Sequence, residues 1–168
     1  MDRTVRLDRV EIETITGRAD LAPLLARWHA AEWAHLYDPS VWNEQIAVEE
    51  FVAQAAPGSD DVTWIAFDGP GRGHGDVVGS VSLLDSDDLT GYEHLSPWLA
   101  SLYVRPDWRG VGIARRLIDT LIEAARVRGD QRVHLFTSGQ EGYYLDRGWH
   151  IVGGSGVKTV MTIETDAI

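Results

Sequence analysis

The sequence of 168 residues has no cysteine, no long apolar run and no excess of positive charge. The absence of cysteine excludes disulfides, zinc fingers, iron–sulfur ligation and thiol nucleophiles. Because no stretch is long or apolar enough for a signal peptide or a membrane span, we expect a soluble cytoplasmic protein. The net charge of −11 argues against binding to nucleic acid or to anionic membrane surfaces. A charged small-molecule partner is therefore expected to be a cation.

An apolar content of 44% is too high for disorder, and the length fits one domain, residues 1–168, with a core of its own. The negative charge is unevenly distributed. Seven arginines and four acidic residues lie between positions 105 and 132, so this segment carries +3 and the rest of the chain carries −14. Such a basic segment indicates either an anion site or a solvated, arginine-rich helix face.

Periodicity predicts a mixed α+β protein. Strands are predicted over residues 10–15, 62–67, 77–84, 98–104, 133–137, 149–152 and 157–163, and helices over residues 21–38, 43–56, 112–128 and 139–146. Asp20 is expected to cap the first helix, and its core stripe is expected to consist of Leu21, Leu24, Leu25, Trp28 and Ala31. The strand–helix–strand unit at 98–137 is expected to be parallel.

The segment between the strand at 98–104 and the helix at 112–128 is the part of the sequence best suited to bind a ligand. Gly110 and Gly112 lack a Cβ, so a tight turn can bring backbone N–H groups close to a ligand. The following helix N-terminus adds unpaired donors and the positive end of its dipole, which suits a pyrophosphate. A nucleotide phosphate loop would need Gly-Lys-Ser/Thr where the chain has Gly112-Ile113-Ala114, and a dinucleotide fold would need glycine in place of Arg115.

Residues 109–114, Arg-Gly-Val-Gly-Ile-Ala, resemble the Arg/Gln-x-x-Gly-x-Gly/Ala signature of the GNAT superfamily of acyl-CoA-dependent N-acetyltransferases. Two flanking segments strengthen the resemblance: residues 102–106, Leu-Tyr-Val-Arg-Pro, resemble the end of the family's fourth strand, and residues 143–149, Tyr-Tyr-Leu-Asp-Arg-Gly-Trp, its Phe-Tyr-x-x-x-Gly-Phe element. The resemblance implies a central, mostly antiparallel sheet of six to seven strands with a V-shaped splay between strands 4 and 5, flanked by about four helices. It also implies an acyltransferase that uses acetyl-CoA as co-substrate and needs no metal.

The resemblance further implies roles for individual residues. Tyr144 matches the tyrosine that protonates the departing CoA thiolate, although an aromatic pair on a short helix is also typical of core packing. The residues that match CoA-binding positions are Leu102, Tyr103, Val104, Arg109, Gly110, Val111, Gly112, Ile113, Ala114, Arg115 and Thr137. Two positions depart from the family pattern: Thr137 replaces the usual Asn, and Trp98 replaces a Glu that serves as general base in many members. The sequence therefore identifies no general base.

In the fold that the resemblance implies, the acceptor enters between the first two helices and the ends of the central strands. The candidate acceptor residues are Trp28, His29, Glu32, Trp33, Asp85 and Trp98. Carboxylates with aromatic walls suit a small cationic amine, such as an aminoglycoside-like amino sugar or a polyamine, through charge-assisted hydrogen bonds and cation–π contacts. An amino-sugar acceptor would connect the protein with antibiotic resistance.

Structural alternatives remain open for these residues, since Trp28 also fits the core stripe and Asp85 also fits a solvated turn. His29 and Glu32 have no third ligand nearby in sequence, so we expect no metal. Two functional alternatives are a protein N-terminal or lysine acetyltransferase and a non-catalytic acyl-CoA-binding regulator. Homodimers are frequent among proteins that resemble this chain, so a homodimer is one expected assembly.

Overall fold

The computed structural model describes residues 3–166, and in this part of the chain it contains seven strands and five α-helices. The strands are β1 (Val10–Thr14), β2 (Val62–Asp68), β3 (Val77–Leu84), β4 (Trp98–Val104), β5 (Arg132–Thr137), β6 (His150–Ser155) and β7 (Lys158–Glu164). The helices are α1 (Arg3–Asp8), α2 (Ala22–Trp33), α3 (Glu44–Gln54), α4 (Ile113–Arg128) and α5 (Glu141–Leu145).

The strands form one mixed sheet in the order β1-β2-β3-β4-β5-β7-β6. β1 pairs antiparallel with β2, and β7 pairs antiparallel with both β5 and β6. β4 and β5 are parallel, with Trp98 opposite His134. This arrangement confirms the α+β class and the parallel strand–helix–strand unit that the sequence predicts.

The chain folds into two compact units, which we describe separately. The first contains the described residues up to Val81 together with Ser101–Leu117. Its apolar core joins α2 and α3 to β2, and its largest members are Leu21, Leu25, Phe51, Ile65 and Phe67. Asn43 caps α3, since its side-chain oxygen accepts a hydrogen bond from the Ile46 N–H at 3.1 Å.

Two details of α2 differ from the prediction. Asp20 does not cap the helix, because its carboxylate accepts hydrogen bonds from the Arg18 guanidinium at 2.8 and 2.9 Å. The buried stripe is also rotated: Ala22, Leu25, Ala26 and His29 are buried, whereas Trp28 is only half-buried and Ala31 is exposed. The predicted stripe contains only apolar residues and leaves no place for a histidine in the core.

The second unit contains Ser82–Ala100 and the described residues from Ile118 onward. Here β5, β6 and β7 lie side by side, and the segment between β3 and β4 contributes Leu89, Tyr92 and Leu95 to a core with Trp98 and Val160. Gly129 follows the last residue of α4 with a φ of 99°, a conformation that suits glycine at the end of a helix.

Helix α1, which has six residues, is not among the predicted strands and helices. Elsewhere, the observed elements begin and end within a few residues of their predicted bounds, except at the end of α2, where a 3₁₀ turn follows the helix. No helix in the described part of the chain is long and apolar enough to span a bilayer.

Candidate active site

The segment that precedes α4 forms a backbone cradle at the helix N-terminus. A 3₁₀ turn over Pro106–Trp108 leads into Gly110 and Gly112, whose φ values are 74° and 108°. Both conformations favour glycine, since a side chain is strained at positive φ. The Arg116 N–H donates to the Gly112 carbonyl at 3.2 Å, so the amides of Ile113 and Ala114 come before the first helical hydrogen bond. The loop therefore presents backbone amides at a helix N-terminus, an arrangement that favours an anion.

Helix α1 supports this cradle from within the same unit. A Cβ on Gly112 would meet the Leu7 side chain at 3.3 Å, and the Arg116 guanidinium donates to the carbonyls of Leu7 and Val10 at 2.9 Å. Arg6 stacks over the buried Trp108 ring at 4.0 Å and donates to the Asp107 carbonyl. These contacts are not predictable from the sequence, because six residues show too little periodicity to indicate a helix.

Arg109 links the cradle to β4 and to α2. Its Nε donates to the Val104 carbonyl at 2.9 Å, and its guanidinium lies 5.7 Å from the centre of the Tyr103 ring. The same guanidinium lies 3.6 Å from the Glu32 carboxylate. The structure thus brings a predicted acceptor residue, Glu32, into contact with the predicted CoA loop.

The exposed end of α2 carries aromatic rings beside that carboxylate. Trp28 stacks on Tyr103 at 5.2 Å between ring centres, and Trp33 meets Tyr103 edge-on at 6.4 Å. Trp28 and Trp33 are half-buried, and about 44% of the Glu32 side chain is exposed. Aromatic faces next to a carboxylate can hold an ammonium group through cation–π contact and a charge-assisted hydrogen bond.

His29 belongs to the core instead of an exposed pocket. Its ring is 1% exposed, with Nδ1 2.6 Å from the Leu25 carbonyl and Nε2 3.0 Å from the Ser101 carbonyl. Ser101 has a φ of 54° within β4, so its carbonyl is held where the strand is irregular. Burial lowers the pKa of His29, and the two carbonyls and Glu32 oppose this effect. The structure therefore gives His29 a supporting role beneath β4.

In the second unit, Tyr144 lies on α5 and is 8% exposed. Its ring meets those of Tyr143 and Trp149 edge-on, at 5.2 and 5.7 Å between centres. Burial raises the pKa of the Tyr144 hydroxyl above its usual value, so the group keeps its proton throughout the neutral range. Thr137, at the end of β5, is half-buried.

Two further candidate acceptor residues, Trp98 and Asp85, contact other residues of the second unit. Trp98 is 1% exposed, and its indole N–H donates to the Leu95 carbonyl at 2.8 Å, so this ring is a core residue. Asp85 lies 3.3 Å from the Arg128 guanidinium. Within residues 3–166, no three His, Asp or Glu side chains are grouped so that they could hold a metal ion.

The parallel β4–β5 pair and the glycine cradle at the start of α4 agree with the acyl-CoA-dependent transferase class that the signature in residues 109–114 indicates. The model described as the acetyltransferase (GNAT) family matches residues 22–144, and the chain belongs to this family. It is therefore an N-acetyltransferase that depends on acetyl-CoA as the acetyl donor. No curated protein matches the sequence significantly.

Solved structures agree on the fold. PaiA N-acetyltransferase from Thermoplasma acidophilum, in complex with coenzyme A, is 16% identical, with a TM-score of 0.65 over 92% of this chain and 98% of that one. YncA from Salmonella typhimurium, with its cofactor acetyl-CoA, is 15% identical, with a TM-score of 0.67 over 95% of each chain. An aminoglycoside 6′-N-acetyltransferase complexed with coenzyme A is 16% identical, with a TM-score of 0.67 over 92% of this chain and 97% of that one.

Proposed function

We propose that this acetyltransferase acts on a primary amine of a small cationic acceptor, an aminoglycoside-like amino sugar or a polyamine, by direct attack in a ternary complex. The observation that carries the proposal is the Glu32 carboxylate beside the rings of Trp28, Trp33 and Tyr103, in contact with Arg109 of the CoA loop. The same fold also serves an aminoglycoside 6′-N-acetyltransferase.

The donor side of the proposal rests on backbone groups. The amides of residues 110–115 hold the pyrophosphate, and Arg109 and Arg115 add positive charge nearby. Leu102, Tyr103 and Val104 offer the backbone of β4 to the pantetheine, and the Thr137 hydroxyl takes the place of an amide side chain. Arg109 Nε fixes the orientation of the Val104 peptide through their 2.9 Å hydrogen bond.

Acetyl transfer then requires proton movements at the amine and at the thiolate. The acceptor ammonium first loses one proton to solvent, and the neutral amine attacks the thioester carbon to form a C–N bond and a tetrahedral oxyanion with a positively charged nitrogen. This nitrogen loses a second proton to solvent, and the C–S bond breaks as the oxyanion collapses to the amide. Tyr144 donates its phenolic proton to the leaving thiolate, which makes the thiolate a better leaving group, and regains a proton from solvent. Because burial raises the pKa of the Tyr144 hydroxyl, the hydroxyl carries its proton throughout the neutral pH range.

Charge supports the choice of acceptor. The chain outside residues 105–132 carries −14, so a cation is attracted from a distance as well as by contact. The same charge disfavours nucleic acid and anionic membrane surfaces as partners. We propose a cytoplasmic location, where acetyl-CoA is available.

A substitution at Glu32 tests the acceptor site. In a thiol-release assay with spermidine, Glu32→Gln should raise the KM for spermidine about tenfold, equivalent to about 1.4 kcal/mol. The KM for acetyl-CoA should change less, because backbone amides carry that contact. Glu123→Gln, which removes an exposed helical carboxylate paired with Arg126, is the matched control and should leave both constants unchanged. Equal effects of the two variants on spermidine would contradict the assignment of Glu32.

A further inference from the structure

Helix α1 precedes residues 22–144, which match the family model, so membership of the family assigns it no role. Its six residues are too few for a stable isolated helix, because the cost of the first turn exceeds what so few hydrogen bonds return. The helix therefore depends on contacts with the rest of the first unit. Those of Arg6 and Leu7 lie on residues 107–116, which include the proposed CoA loop.

Arg6 holds the turn that leads into the loop. Its guanidinium lies 4.0 Å from the centre of the Trp108 ring and donates to the Asp107 carbonyl at 3.1 Å. Trp108 is 5% exposed and ends the 3₁₀ turn, and its N–H donates to the Arg105 carbonyl at 2.8 Å. A guanidinium is attracted to the face of an indole ring. Arg6 thus ties α1 to the residue that precedes Arg109.

Arg116 holds the other end of the loop against α1. One guanidinium nitrogen, Nη1, donates to the carbonyls of Leu7 and Val10, each at 2.9 Å. The Leu7 carbonyl lies in the last turn of α1, where carbonyls lack partners within the helix and a positive charge is favourable. The Arg116 N–H donates to the Gly112 carbonyl at 3.2 Å. The same residue therefore binds α1 through its side chain and the loop through its backbone.

Leu7 packs beside a glycine in the middle of the loop. A Cβ on Gly112 would lie 3.3 Å from Leu7 Cδ2, so Leu7 occupies the side toward which a side chain would project. Gly110 and Gly112 both have positive φ, and glycine has more conformational freedom to lose than any other residue. A loop built on two such residues keeps its amides together only if its surroundings constrain it. Arg6, Leu7 and Arg116 supply that constraint at both ends and in the middle.

We propose that α1 is a positioning element of the donor site: Arg6 and Leu7 hold residues 109–115 in the conformation that binds the pyrophosphate of CoA. The inference rests on the proposed function, which places the pyrophosphate against the amides of this loop. Helix α1 acts through the loop. Because the loop is ordered before CoA arrives, less conformational entropy is lost on binding and the affinity is higher.

Two substitutions of Leu7 test the contact with Gly112. Leu7→Ala removes the side chain beside the glycine, whereas Leu7→Met keeps its volume. By calorimetry, the Kd of CoA should rise about tenfold in Leu7→Ala and stay at the wild-type value in Leu7→Met. Circular dichroism checks that both variants are folded at the temperature of the titration. If Leu7→Ala binds CoA like wild type while Gly112→Val does not, this inference fails and the proposed site of the pyrophosphate stands.

Arg6→Met tests the contact with the turn, and Arg9→Met is its matched control. Arg9 follows α1 directly and pairs with Asp68 at 3.2 Å, so each substitution removes one positive charge from the same segment. The Kd of CoA should rise about tenfold in Arg6→Met and stay near the wild-type value in Arg9→Met. Equal effects of the two variants would mean that net charge, and not the position of the loop, decides the affinity, and would overturn the role of Arg6.

A donor without the pyrophosphate separates this role from a general loss of stability. S-acetylpantetheine carries the thioester but lacks the pyrophosphate and the adenosine. In the thiol-release assay with spermidine, Leu7→Ala should raise the KM for acetyl-CoA about tenfold and leave kcat/KM for S-acetylpantetheine unchanged. Equal losses with the two donors would contradict the inference. The calorimetric titrations contain no acceptor, so they decide the inference even if spermidine is not acetylated.

Discussion

At the scale of single residues, burial shifts the pKa of Tyr144 and of His134 in opposite directions. Tyr144 is buried among aromatic rings, so its hydroxyl stays protonated and can act as a donor to a developing thiolate. His134 is also buried, and burial lowers the pKa of its ring. Burial disfavours the charged form in both cases.

Removal of the Tyr144 hydroxyl should slow the reaction without loosening the fold. Tyr144→Phe keeps the ring and its contacts with Tyr143 and Trp149, so the melting temperature and the affinities for both substrates should barely change. We expect kcat to fall about 10²-fold, the usual scale for the loss of a general acid. Steady-state kinetics and calorimetry provide the measurements, with Tyr143→Phe on the same helix as the control. If Tyr144→Phe has wild-type turnover, Tyr144 is a core residue and not the general acid.

At the scale of elements, α4 has a left-handed glycine at each end. Gly112 precedes its first residue with a φ of 108°, and Gly129 follows its last with a φ of 99°. A side chain at either position is strained by roughly 1–2 kcal/mol. Only Gly112 belongs to the proposed CoA cradle. Substitutions at the two glycines therefore distinguish an effect of backbone strain from an effect on ligand binding.

Valine at these two positions should therefore have different effects on CoA. Gly112→Val should lose most of its CoA affinity, because the new side chain meets Leu7 and displaces the loop amides. Gly129→Val bears similar strain, with no neighbour within 4 Å of the added Cβ, and should bind CoA like wild type. Calorimetry measures the affinities, and circular dichroism checks that both variants remain folded. Equal CoA affinity in the two variants would show that the pyrophosphate does not lie against residues 110–115.

The same elements indicate what the sequence could and could not predict. β3 and β4 were predicted with the bounds that the structure has, because their apolar runs end at clear breaks such as Pro106. The buried stripe of α2 was misplaced because His29 is stabilised in the core by two carbonyls, one of them 72 residues away in β4. The proximity of His134 and His150 is not visible in the sequence, because it depends on strand register: both residues lie opposite or next to Thr162 of β7.

At the scale of the whole molecule, stability and substrate choice both depend on charge. His29 and His134 have lowered pKa values in the folded protein, while in the unfolded chain a histidine titrates near 6.5. Between these values the unfolded chain binds protons that the folded chain does not. Protons therefore favour the unfolded chain at low pH. The contribution of the two histidines to the free energy of unfolding is complete above pH 6.5 and decreases as the pH falls below that value.

Thermal melts should show this loss of stability at low pH. We expect the free energy of unfolding to fall as the pH is lowered from 7 to 5, by at most about 1.4 kcal/mol per pH unit for each histidine. His134→Asn removes one of the two groups and should make the dependence shallower. Melting temperatures by circular dichroism give the comparison. A melting temperature that stays constant or rises between pH 7 and 5 would contradict the burial of these imidazoles in their neutral form.

The central claim, acetyl transfer to a small cationic amine, is tested most directly by kcat/KM across an acceptor panel at two salt concentrations. The panel contains spermidine, kanamycin, glutamate and a peptide with a free N-terminus, and thiol release from acetyl-CoA reports each reaction. We predict that the two polycations are the best substrates and that their advantage shrinks at high salt, because exposed charges are screened over roughly 8–10 Å at physiological ionic strength. Preference for glutamate or for the peptide, with no dependence on salt, would contradict the account.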